Sequence, residues 1–184
     1  MIYIRIILVF FTLSYSKISA TEITCSLSYD LMEVIATVER SPKRPVGYPF
    51  LISFNESVNY KKVLSSYDFI YIDSRTLDCK NRNNCIKILN YLEENNINNL
   101  DLGAFQLNYV HHKFNKKEYF TLENSYQRAC SFLETLIKVH GYSWETIARY
   151  HSSTPSRNLI YQKLIADVII SNSNTIEKEI YAKN

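Results

Sequence analysis

Leu27-Ser28-Tyr29-Asp30-Leu31-Met32-Glu33-Val34-Ile35-Ala36-Thr37-Val38-Glu39-Arg40 is the stretch from which the rest of the chain is read. Its apolar residues Leu27, Leu31, Val34, Ile35 and Val38 fall at i, i+4, i+7, i+8 and i+11, the single stripe of an amphipathic helix. Ser26 or Ser28 is placed to cap its start. Ser41-Pro42, followed by Pro45, Gly47 and Pro49, forbids continuation and sends the chain into an extended or turning loop. Glu39 follows Ile35 by four residues and Leu31 by eight, so it projects from the buried face in the last turn. A carboxyl group there loses hydration, which disfavours its charge and suits it to hold a proton near neutral pH and deliver it. The plain alternative is a solvated acid, or one paired with Arg40 or Lys43.

Outward from this helix, residues 50–54 and 68–72 alternate in the short aromatic and branched pattern of strands, which predicts a small β-hairpin or flap. Residues 85–95 return to helical spacing through Ile88, Leu89 and Leu92. A longer helix is expected over 123–140, with Ala129, Phe132, Leu133, Leu136, Ile137 and a structural His140 on one stripe and Gly141 closing it. Ser143 caps a short helix through Trp144, Ile147 and Ala148, and a last helix runs from about 156 to 170. The fold class expected is mainly α (α+β), a helical bundle with a minor strand element. One domain is expected over 21–170, because 184 residues at 46% hydrophobic supply one ordinary core. Residues 171–184 read as a polar C-terminal tail.

Residues 1–20 combine Arg5, an apolar run from Ile6 to Leu13 and a small-residue exit at Ser19-Ala20, the pattern of a signal peptide. The expected location is therefore exported, in the periplasm or cell envelope. Of 21 basic and 18 acidic residues, the leader holds Arg5 and Lys17, leaving 19 against 18. So near-neutral a chain is not expected to bind nucleic acid through a basic face. Cys25, Cys79, Cys85 and Cys130 permit three disulfide pairings in an oxidising compartment. Cys79 and Cys85 flank an Asn-rich turn that a local bridge could close, which would leave Cys25 for Cys130. Zinc would want tighter Cys pairs or nearby His partners, and His111, His112, His140 and His151 lack a ligand spacing. No metal and no organic cofactor is expected.

Gly103-Ala104-Phe105-Gln106-Leu107-Asn108, together with Glu39 and Ala148-Arg149-Tyr150, resembles the soluble lytic transglycosylase family in order and rough spacing. The likeness extends to small exported members that accompany type IV secretion and conjugation machinery, through residues 99–108 and 149–155. It covers roughly residues 27–165 and implies a lysozyme-like helical domain around a glycan cleft. It also implies cleavage of the β-1,4 bond between N-acetylmuramic acid and N-acetylglucosamine with a 1,6-anhydro product. Carried over by position, Glu39 is the general acid and then base. Gly103, Gln106, Asn108, Tyr150 and His151 belong to the substrate-binding set, with Gln106 and Asn108 supplying neutral amides and Tyr150 turning its hydroxyl toward Glu39 or the substrate. The partners implied are peptidoglycan strands and secretion or conjugation components, bound by a monomer.

Two departures stand out: Arg40 follows the acid where the family often has Ser, and His151 follows the late Tyr where it often has Asn. Arg40 motivates a second expectation, a non-catalytic wall-binding or scaffold subunit in which the cation keeps Glu39 ionised. A third is a lysozyme-type hydrolase with Asp101 or Asp73 as second carboxylate, although Asp101 beside Gly103 reads first as a turn residue.

Overall fold

The structure is a computed structural model that describes residues 25–182, with side chains to 173. The leader and the start expected at Thr21 lie outside the described residues. The chain runs through α1 (Tyr29–Glu39), β1 (Leu51–Phe54), α2 (Tyr60–Val63), β2 (Ile70–Tyr71), β3 (Thr76–Asp78), α3 (Arg82–Glu94) and β4 (Leu100–Leu102). It continues with β5 (Leu107–Asn108), α4 (Lys116–Tyr119), α5 (Leu122–His140), α6 (Trp144–Ala148) and α7 (Pro155–Ala182). It is an α+β fold, about half helical.

The first helix follows from its stripe. Ser28 caps it by accepting the Leu31 N–H at 3.3 Å, and Leu31, Met32, Val34, Ile35 and Ala36 are buried. Arg40 then turns extended (φ −67°, ψ 147°), which ends the helix one residue past Glu39. Helix α7 packs against both α1 and α6, and it continues to Ala182 through the segment whose composition suggested a tail.

The strand element is larger than the expected hairpin or flap. Five short strands form one antiparallel sheet in the order β2-β3-β1-β4-β5. Strands of two to four residues carry too little alternation to stand out in sequence; pairing with neighbours is what makes them strands. Within the sheet, Ser53 sits opposite Thr76 on one side and Asp101 on the other, and Asp101 sits opposite Asn108. Directly paired residues share a face, so Thr76, Ser53, Asp101 and Asn108 form one polar row. Ile52, Phe54, Leu77, Leu100, Leu102 and Leu107 are buried in the core.

Both disulfides form, Cys79–Cys85 and Cys25–Cys130. The first ties the end of β3 to the first turn of α3; the second ties the segment before α1 to the middle of α5. Two disulfides are compatible with an exported protein, and among the described residues no helix is long and apolar enough to cross a membrane. His140, expected within the core stripe of α5, is exposed. The fully buried part of that helix ends at Leu133; Leu136 and Ile137 still pack against the core, and residues 138–140 are exposed.

Candidate functional site

A cleft of about 1690 Å³ lies between the polar row of the sheet and a helical side made by α1, α5, α7 and the corner that follows α6. Glu39, Gln106, Asn108, Tyr150 and His151 all line it, so five of the six residues singled out from sequence converge on one groove.

Glu39 enters from the end of α1. The residue keeps some surface open to the cleft, while its carboxyl is enclosed by protein. Burial is the main cause that pushes its pKa up, to about 8; the nearby negative charge of Asp101 adds to the rise, and a hydrogen bond from Tyr161 opposes it. That bond is short and direct, the Tyr161 hydroxyl donating to Glu39 Oε1 at 2.6 Å. Arg40 is exposed, and among the described residues no cation stands within 4.0 Å of the Glu39 carboxylate. At pH 7 Glu39 therefore carries a proton, in the state a general acid needs.

Tyr161 escaped the sequence reading. It lies on α7 with Asn158 three residues before it and Ile165 four after, all three buried. A tyrosine on a buried stripe usually finds a partner for its hydroxyl, which was the available signal. What the stripe cannot reveal is that the partner is 122 residues away in sequence.

Of the two partners expected for Tyr150, Glu39 or the substrate, the first is not the one its hydroxyl takes. Its hydroxyl donates to the Phe105 carbonyl at 2.8 Å rather than to Glu39. Burial, then the charges of Glu39 and Asp101, push its pKa well above the usual phenol value, so it stays a neutral donor that pins the Gly103–Gln106 turn. Gly103 is buried and does not line the cleft. Its φ is +76°, and a Cβ there would lie 2.0 Å from the Tyr119 carbonyl oxygen. The close approach expected at this glycine is thus made by the protein's own backbone.

Gln106 also adopts a left-handed φ of +46° and donates its side-chain amide to the Gly103 carbonyl at 2.8 Å. The carbonyl end of the amide is not used by that bond, and the residue lines the cleft. Asn108 is engaged at both ends: it donates to Asp101 Oδ1 at 2.9 Å and Asn99 Oδ1 at 3.2 Å, and accepts the Val110 N–H at 3.0 Å. Asn108 accordingly holds Asp101 in place. Asp101 is in the middle of β4 and not in a turn; the turn-forming aspartate is Asp73, which accepts the N–H groups of Arg75 and Thr76 at 2.8 Å each.

His151 stacks flat on Tyr161, with ring centroids 4.9 Å apart and planes 2° from parallel. The stack covers one face of the ring, and the residue lines the cleft. Loss of solvent is the main cause holding its pKa below the ordinary value, with Asp101 opposing and Arg157 and Arg75 reinforcing. The α6–α7 corner that carries it is clamped by the buried Asn158, which donates to the Glu145 and Ser152 carbonyls at 3.0 Å each.

Comparison with models of known protein families, with curated proteins and with solved structures found no match.

Proposed function

We propose that this protein is a lytic transglycosylase of the bacterial cell wall, with a lysozyme-like arrangement of its domain and Glu39 as the only acid–base group of the reaction. The observation that carries the reading is the placement of the Glu39 carboxyl: enclosed by protein, held by the Tyr161 hydroxyl, its pKa raised by burial, and opening onto a cleft with a polar opposite wall.

In the first step Glu39 delivers its proton to the glycosidic oxygen, and the bond from that oxygen to C1 of the muramoyl sugar breaks with both electrons leaving on oxygen. Positive charge develops at C1, and the carboxyl group of Asp101 lies on the same cleft. Glu39, now a carboxylate, takes the proton of the sugar's own 6-hydroxyl as that oxygen bonds to C1. The 1,6-anhydro ring closes, the proton returns to Glu39, and no water is consumed. Tyr161 holds the carboxyl in place through both steps, because its hydroxyl can donate to the acid and to the carboxylate alike. Export to the envelope, recruitment to a secretion or conjugation apparatus and action as a monomer belong to the same proposal. Their supports are the two disulfides and the likeness of residues 99–108 and 149–155.

A second reading is favoured by Asp101, whose carboxylate faces the same cleft: a lysozyme-type hydrolase, in which water replaces the 6-hydroxyl. Mass spectrometry of the soluble fragments from purified peptidoglycan separates the two. Anhydro-muropeptides are expected, and reducing-end muropeptides would transfer the protein to the hydrolases. Glu39→Gln should lower turnover by about 10²–10⁴-fold, the share of one general acid and base. Undiminished turnover in that variant would remove Glu39 from the chemistry.

A further inference from the structure

Two of the guanidinium groups on the cleft stand without an acidic partner among the described residues. Arg75, in the turn between β2 and β3, and Arg157, in the first turn of α7, both line it, one from the sheet side and one from the helical side. Both are exposed. Arg75 is oriented by neutral acceptors, its Nε donating to the Phe54 carbonyl at 2.9 Å and its Nη2 to Asn55 Oδ1 at 2.8 Å, so its charge is not cancelled. Among the described residues neither arginine has a carboxylate within 4.0 Å, whereas Arg44, Arg128 and Arg149 each have one. Both act on His151 by opposing its protonation, while Asp101 favours it, so the two arginines flank the same part of the groove.

A guanidinium is matched in shape and charge to a carboxylate. On a wall glycan the sugar that differs from N-acetylglucosamine is the muramoyl unit. Its lactyl group bears a free carboxylate when peptide-free, or carries the carboxylates of a stem peptide. We propose that Arg75 and Arg157 take hold of a carboxylate on the muramoyl substituent from the two sides of the cleft, and so select wall strands over neutral N-acetylglucosamine polymers. The assignment rests on the glycan reading above and deepens it by naming the specificity-determining residues.

The test is a set of affinities measured by fluorescence anisotropy in a Glu39→Gln background, so that strands are bound without turnover. The probes are labelled stem-bearing wall strands, strands stripped of peptide by an amidase, and chitohexaose as the neutral control. At least one carboxylate-bearing strand should bind about tenfold more tightly than chitohexaose, the effect of one charge-assisted contact. Adding Arg75→Gln and Arg157→Gln together should abolish that preference while leaving chitohexaose affinity within about twofold. Arg157→Gln by itself, which breaks none of the hydrogen bonds described above, should remove a good part of it. Tightening confined to stem-bearing strands assigns the contact to the peptide; tightening confined to stripped strands assigns it to the lactyl carboxylate. Equal affinity for all three probes, or a preference that survives in the double variant, overturns the assignment and leaves the glycan reading standing. Failure to bind any of the three overturns the glycan reading and the assignment with it.

Discussion

The two walls of the cleft treat a carboxylate in opposite ways. On the helical wall Glu39 is set at the apolar face of α1 against Tyr161 of α7, whose phenol is its hydrogen-bond partner. On the sheet wall Asp101 stands in a polar row between Ser53 and Asn108 and accepts an amide N–H. Burial keeps a proton on Glu39, and the negative charge of Asp101 reinforces it. The chemistry of the pair is thus set by what each side chain packs against, and the acid–base role falls to the wall that withholds water.

Alterations that strike one wall alone put this contrast at risk. The largest effect is expected at the turn that holds the sheet wall together. Gly103→Ala requires a side chain at φ +76° with its Cβ on the Tyr119 carbonyl, and urea denaturation should show a loss of roughly 2–5 kcal/mol from backbone strain plus overpacking.

Next comes the pH dependence of stability. Glu39 has a folded-state pKa near 8 against an ordinary 4.5, so the folded state holds the extra proton. Its stabilising contribution is complete below about pH 4.5 and is lost as pH rises through about 8. Glu39→Gln keeps the shape without the titration. Relative to that variant, the native protein should lose roughly 2–4 kcal/mol between pH 4.5 and 9, after allowance for water in the cleft. Parallel stability curves for the two proteins would mean that Glu39 is solvated.

Tyr150→Phe should cost about 1–3 kcal/mol by leaving the Phe105 carbonyl buried without a donor. It should leave the pH profile of turnover in place, because the Tyr150 hydroxyl bonds the Phe105 carbonyl and not the acid. Tyr161→Phe is the complementary case, with the smallest expected effect. It removes the bond that lowers the Glu39 pKa, so the basic limb of the pH–rate profile should move to higher pH. Loss of positioning should cost about tenfold in turnover, near 1.4 kcal/mol. An unmoved limb would show that the hydrogen bond is not made in solution.

Much of the helical layer was legible because its information is local. The stripe of residues 27–40, the cap at Ser28, the glycine after α5 and the cap at Ser143 act within a turn or two of themselves. The strands were legible only in part, since β2 and β5 have two residues each. Asp101 read as a turn residue, and Tyr150 as facing Glu39 or the substrate, for the same reason: one residue's neighbours in sequence do not say which groups face it.

The sequence by itself determined that Glu39 ends an amphipathic helix on its apolar face, where the proline cluster forces the chain away. It also determined that the five residues now lining one groove were worth suspecting together. Only the tertiary structure decided that Tyr161 is the acid's partner, that Tyr150 and Gly103 brace a turn, and that Thr76, Ser53, Asp101 and Asn108 make one polar row. Helical periodicity is written into consecutive residues through backbone geometry. Desolvation, strand register and a hydrogen bond across 122 residues exist only once separate segments have displaced water between them.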